Sequence, residues 1–191
     1  MAPARIFSAT TYSCSCPAGF SGSTCGCGIG YETRPYFGSA PPDTASAIAA
    51  FNAAPAGAPG YGSTALASFA AVSNQSLFGS IGNIAYHVKV GFDVTAADAG
   101  SWQVRLGADY GLGGTLLVDG MEVDFRPTDM WYAASFTDPT QYLSAAFTLA
   151  PGLHTIESYG FENCCDGVAR MEYLSPTSGG WLPVTASTTC P

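Results

Sequence analysis

From residue 83 onward apolar and polar residues alternate one by one, in short runs broken by Gly, Pro and Asp-Gly. No other feature restricts the fold as much, because successive side chains of a strand leave on opposite faces and only a sheet with one buried face needs that pattern. The run Ile84 to Val94, "IAYHVKVGFDV", alternates in this way, as does "SWQVRLGAD", where Trp102, Val104 and Leu106 oppose Gln103 and Arg105. "GTLLV", an Asp119-Gly120 turn and "MEVDF" read as a hairpin. "SAAFTLA", a Pro151-Gly152 turn and "LHTIESYGF" read as a second, and "VARMEYL" adds a further strand. With 23 Gly and 13 Pro among 191 residues and only 10% charged residues, long amphipathic helices are excluded. The expected fold class is all-β, an antiparallel β-sandwich.

The remainder of the chain divides differently. Residues 1–38 form a Cys-rich segment, residues 39–82 an Ala/Pro/Gly-rich linker or arm, and residues 83–191 the sandwich. Within the middle stretch "TASAIAAFNAA" (Thr44 to Ala54) predicts a short helix capped by Asp43 or Thr44. Four of the seven cysteines, Cys14, Cys16, Cys25 and Cys27, sit close together, with Cys164, Cys165 and Cys190 further on. The Cys-x-Cys spacing is tighter than zinc sites use, so the cysteines are read as disulfide formers in an oxidising compartment, with one left over. Cys164 and Cys165 bond to each other, staple their loop to the N-terminal segment, or stay reduced, buried and inert. Asn74-Gln75-Ser76 is a candidate glycosylation sequon. No segment is long and apolar enough to insert in a membrane. The first residues carry no signal-peptide run, so an exported chain would be numbered from after its targeting signal or from within a longer protein.

The formal net charge is −8, and all of it falls in residues 83–191, which carry twelve acids against four bases. Such a surface repels phosphate backbones, so nucleic acid is excluded as a partner, while neutral ligands and divalent cations are favoured. The chain has no Gly-x-Ser-x-Gly, phosphate loop or His-Glu-x-x-His, and it is read as no enzyme.

Three sets of residues carry resemblances. "CSCPAGFSGSTC" (Cys14 to Cys25) resembles the C-terminal half of an EGF-like module. Leu117-Val118-Asp119-Gly120 together with Ala150-Pro151-Gly152-Leu153-His154-Thr155-Ile156 resembles the PA14 family of β-sandwich modules. Asp129-Met130-Trp131-Tyr132 and "YGFENCCDG" (Tyr159 to Gly167) resemble bacterial surface or secreted proteins with a Cys-Cys-x-Gly (CCXG) motif. The PA14 likeness implies a carbohydrate-binding or adhesion module at the cell surface or outside the cell, with a glycan or cell-surface polymer as partner. It also implies a calcium ion between an Asp-Asp turn and a late-strand loop. Here the turn reads Asp109-Tyr110, one carboxylate short, which leaves Asp109, Asn163 and Asp166 as the calcium candidates. The ligand-binding face is expected in three loops, around Asp109-Tyr110, Asp129 to Tyr132 and Glu162 to Asp166. Its candidate residues are Asp109, Tyr110, Trp131, Tyr132, Asn163 and Asp166, and His154 is read as a packing residue. The alternative is a self-assembling subunit of an extracellular fibre, appendage or surface coat, a homo-oligomer joined through the N-terminal segment and the arm.

Overall fold

The computed structural model describes residues 20–21 and 26–189. Cys14, Cys16, Cys25 and Cys190 lie outside the described residues, and so does most of the EGF-like stretch. In chain order the elements are β1 (Phe20–Ser21), β2 (Cys27–Pro35), α1 (Thr44–Ala53), β3 (Ser63–Ala65), α2 (Asn74–Leu77), β4 (Ile84–Val94) and β5 (Gly100–Gly107). There follow β6 (Gly114–Val118), β7 (Met121–Arg126), a 3-10 turn (Pro139–Gln141), β8 (Leu143–Leu149), β9 (Gly152–Glu162), β10 (Arg170–Leu174), β11 (Leu182–Pro183) and α3 (Ala186–Thr189).

These strands make two antiparallel layers, as the alternation predicts. The larger sheet runs β1-β2-β4-β9-β6-β7 with β3 added on β2, and the smaller runs β11-β10-β5-β8. The core fills the space between them. Ile84, Tyr86, Val88, Val90, Phe92 and Val94 of β4 face Trp102, Val104 and Leu106 of β5 across it, every one of them buried. Of the two expected hairpins one forms, β6 pairing β7 around Asp119-Gly120. The other does not: β8 and β9 follow one another through Pro151-Gly152, but β8 pairs β5 in the smaller sheet while β9 lies between β4 and β6 in the larger, so this turn carries the chain from one layer to the other.

The outer face of the larger sheet is also covered. Helix α1 begins where expected: the Asp43 carboxylate accepts from the Ser46 amide at 2.7 Å. At its other end Arg34 Nη1 donates to the carbonyls of Phe51, Asn52 and Ala54, at 3.2, 3.3 and 3.2 Å. The helix lays Ala47 and Phe51 on Ala85, Leu117, Tyr159 and Phe161, a second buried cluster. The sheet beneath it therefore needs apolar residues on both faces, and β6 is buried along its whole length. Residues 27–35 pair with β4 over eight positions and place Ile29 and Tyr31 in the main core.

Asn74, the candidate glycosylation acceptor, has its side chain turned into the fold. It is 0% exposed. Its Oδ1 accepts from Thr33 at 2.5 Å, and Nδ2 donates to the carbonyls of Gly60 at 3.0 Å and Ser80 at 2.7 Å. Both amide hydrogens are committed to these carbonyls. The side chain staples the 60–80 stretch to β2. Among the described residues no helix is long and apolar enough to cross a membrane.

Candidate ligand-binding site

At one end of the sandwich three loops meet: the turn between β5 and β6, the loop after β7, and the loop after β9. They enclose a depression of about 420 Å³ lined by Asp109, Gly111, Asp129, Trp131, Glu162, Asn163, Cys164 and Cys165. These are the three loops the sequence pointed to.

Backbone bonds hold the loops in place. Tyr110 and Met130 exchange both amide–carbonyl hydrogen bonds, at 3.0 and 3.2 Å, and so tie the first loop to the second. Glu162 ties the first to the third. This carboxylate is 2% exposed and accepts from the amides of Gly111 and Cys164, each at 2.6 Å. Burial raises its pKa, while hydrogen bonds from the Cys164, Gly111 and Asn163 amides work the other way and the charge of Asp129 adds to the rise.

Cys164 and Cys165 are bonded to each other. The vicinal pair sits exposed at the rim, and Cys165 adopts a φ of 74°, rare for a residue with a Cβ. Cys27 is disulfide-bonded as well. Asp166 fixes the far side of the loop: Oδ1 accepts from the Tyr86 hydroxyl and Oδ2 from the Gln75 amide, both at 2.7 Å. Asp166 thus has each oxygen engaged in holding the loop, and it does not line the depression.

Asp109 is the most perturbed acid of the site. Burial pushes its pKa up to about 7, helped by the charges of Glu162, Asp129 and Asp166. A cation or a set of hydroxyl donors placed there would relieve that repulsion.

The two tyrosines expected at the surface lie elsewhere. Tyr110 is 2% exposed, its ring laid across Gly114 and Gly160, where a Cβ would come within 2.6 and 2.2 Å of it. Those two glycines make the space for the ring, which serves as the floor beneath the loops. Tyr132 is 5% exposed and lies over Gly107, packed on Phe136. Trp131, between them in the fold, is the aromatic that faces solvent, at 70% exposure. The reason is parity: Met130 is pinned inward against Tyr110, so the next side chain points outward.

Of the sequence candidates the structure therefore brings Asp109, Trp131 and Asn163 to one depression. It adds Asp129 and Glu162, which the sequence placed in the right loops without singling them out. Nothing in a single sequence distinguishes a carboxylate aimed at solvent from one folded onto its own backbone. For calcium, the oxygen-bearing side chains left unspent are Asp109, Asp129 and Asn163, fewer than the six to eight oxygens the ion takes. Among the described residues no group of three or more His, Cys, Asp or Glu side chains is arranged to hold a metal ion.

No family model matches the chain, and no curated protein matches it in sequence. Solved structures match by fold. The PA14 domain of the MpAFP antifreeze protein is 12% identical, with a TM-score of 0.55 over 85% of this chain and 89% of its own. A PA14 sugar-binding domain from an RTX adhesin is 17% identical, with a TM-score of 0.52 over 85% and 97%. The epithelial adhesin 6 A domain of Candida glabrata, solved in complex with Galb1-3GlcNAc, is 10% identical, with a TM-score of 0.52 over 85% and 86%. The chain has a PA14-like β-sandwich fold.

Proposed function

We propose that this protein is a non-catalytic extracellular module that binds carbohydrate, in the service of adhesion, at the depression between Asp109, Trp131 and the Cys164–Cys165 loop. The observation that carries the reading is Trp131. An indole held 70% exposed beside carboxylates is a poor arrangement for stability but a good one for a pyranose ring. The ring's CH face stacks on the indole, and its hydroxyls donate to Asp109 and Asp129. The disulfide gives the rim a stiff apolar surface that costs little entropy on binding.

Two further points support it. Two of the PA14-like structures are described as sugar-binding or hold a disaccharide. The oxidised Cys164–Cys165 pair and the likeness of Tyr159 to Gly167 to surface or secreted CCXG proteins fit an extracellular setting. Calcium belongs to the proposal as an accessory ion with Asp109 and Asn163 as protein oxygens and Asp129 in the place first given to Asp166. Such an ion would fix sugar hydroxyls as part of its coordination shell.

A glycan array probed in calcium and again in chelator tests this. Binding to a defined set of glycans is expected, with at least a tenfold loss for Trp131→Ala. No binding to any glycan in either buffer overturns the carbohydrate reading, and binding undiminished by chelator removes calcium from it.

A further inference from the structure

Next to the first depression lies a second, of about 370 Å³, formed by the loop that runs from Asp129 to Gln141. The two share Asp129 and Trp131. They are therefore halves of one trough divided by the exposed indole, and each half falls within the roughly 300–1,000 Å³ of a small-ligand site. We infer that the ligand is a neutral oligosaccharide, longer than one sugar ring, that crosses Trp131 and seats successive units on its two sides. This inference rests on the carbohydrate reading and specifies its substrate class.

Three observations carry it. The first is the rigidity of the divider. The Trp131 amide donates to Gln141 Oε1 at 2.5 Å, and Met130 is bonded to Tyr110 through both backbone groups. Asp138 in turn caps the short turn that carries Gln141, accepting from the Thr140 amide at 2.9 Å and its hydroxyl at 2.7 Å. The ring is thus presented on a braced backbone although its side chain is largely bare, and a planar ring so held offers a stacking face to each depression. The second is the lining of the added half. Small or hydroxyl-bearing residues, Ala133, Ser135 and Thr137, line it together with the polar groups of Asp138 and Gln141. That surface suits hydroxyl exchange and is too polar for a lipid or an apolar peptide side chain. The third is charge. The trough carries Asp109, Asp129, Glu162 and Asp138, and among the described residues no Lys, Arg or His lines either half. Carboxylates accept from sugar hydroxyls but repel a uronate or sulfated sugar, so the chain it receives is uncharged.

Calorimetric titration of the full chain with galactose, glucose and N-acetylglucosamine, each against its β-linked tetramer, tests the inference, with a galacturonate tetramer as the acidic arm. At least one tetramer is expected to bind tenfold or more tighter than its own monomer, and the galacturonate tetramer not to bind. Ala133→Phe fills the second half at an exposed position and leaves the first untouched. It is expected to bring the tetramer's affinity down to that of the monomer. Equal dissociation constants for monomer and tetramer, or a tetramer insensitive to Ala133→Phe, overturn the two-sided trough and leave the carbohydrate reading standing. Failure of all six neutral probes to bind overturns both.

Discussion

Asp109 illustrates the difference between a residue kept for the fold and one kept for a ligand. A half-buried carboxylate surrounded by Glu162, Asp129 and Asp166, with no base beside it among the described residues, is held at a pKa of about 7, where an ordinary one sits at 3.8. Because the folded value is raised, its contribution to stability is whole below about pH 4 and is lost as pH rises through 7. The native protein thus gives up stability at neutral pH to keep an acid at this position, as expected of a site residue and not of a packing one. Asp109→Asn removes the charge and keeps the shape. In calcium-free buffer at pH 8 the variant is expected to be about 1 kcal/mol more stable than wild type by urea denaturation, the full linkage value being reduced by solvent screening. Its advantage should vanish at pH 4. The same variant should bind glycan more weakly, so stability and binding move in opposite directions. A variant that is less stable at pH 8 would mean that Asp109 serves the fold.

At the scale of elements, the opposite end of the sandwich is governed by a pair of turns. His154 at the start of β9 places Nδ1 2.7 Å from Asp119 Oδ2 and Nε2 2.8 Å from the Ala150 carbonyl. The other Asp119 oxygen accepts from the Thr155 amide at 2.8 Å. The Asp-Gly turn of the β6–β7 hairpin is thereby bolted to the Pro-Gly turn that links the two sheets, which gives His154 a hydrogen-bonding role where packing was expected. Both partners of the ring are acceptors, so the clamp is complete only when the imidazole carries two protons. Burial opposes that charge, but the hydrogen bonds to Asp119 and Ala150 outweigh it and raise the pKa above 6.5. The clamp's stabilisation is therefore fully present below pH 6.5 and is lost as pH climbs through the raised value. Thermal melts from pH 6 to pH 9 are expected to show a loss about 0.5–1 kcal/mol larger in wild type than in His154→Phe, the fall due to Asp109 being common to both. Parallel slopes would show that the ring does not titrate against Asp119. The β6–β7 hairpin was legible because Asp-Gly marks a turn and the flanking residues alternate. The Pro-Gly turn was legible as a turn, but no local pattern says that the strand after it crosses to the other sheet instead of pairing with the strand before it. Strand β2 was not, since Gly28 and Gly30 supply two of the positions on which its alternation would have to be read. The site was legible to the level of its loops. Which side chain faces out depended on long-range pins, Met130 on Tyr110 and Asp166 on Tyr86, that no local pattern encodes.

The whole molecule is three layers: helix α1, the larger sheet and the smaller sheet. The alternation that begins at residue 83 marks a natural cut, yet the strands after it are not self-sufficient. β4 sits in the interior of the larger sheet, bonded to β9 on one side and to β2 on the other. Removing residues 1–82 would expose that edge, and eight residue pairs of β ladder would be lost with it. It would also strip Ile29, Tyr31 and Phe69 from the main core and Phe51 from the outer cluster, each at 2% exposure or less. At about 2 kcal/mol for each large buried side chain, the loss is roughly 8 kcal/mol, comparable to the whole stability of a typical domain at about 5–15 kcal/mol. The site would suffer too, because Asp166 would lose Gln75 and its backbone partner Ile81, leaving the disulfide loop held through Glu162 and Tyr86. The expected result for the isolated 83–191 fragment is a collapsed chain that binds a hydrophobic dye and melts without a sharp transition, whereas the full chain unfolds cooperatively. Chemical-shift dispersion in a two-dimensional NMR spectrum distinguishes the two. Well-dispersed amide resonances and a cooperative melt for the fragment would show that β2 and α1 are additions to a complete sandwich and not structural parts of it.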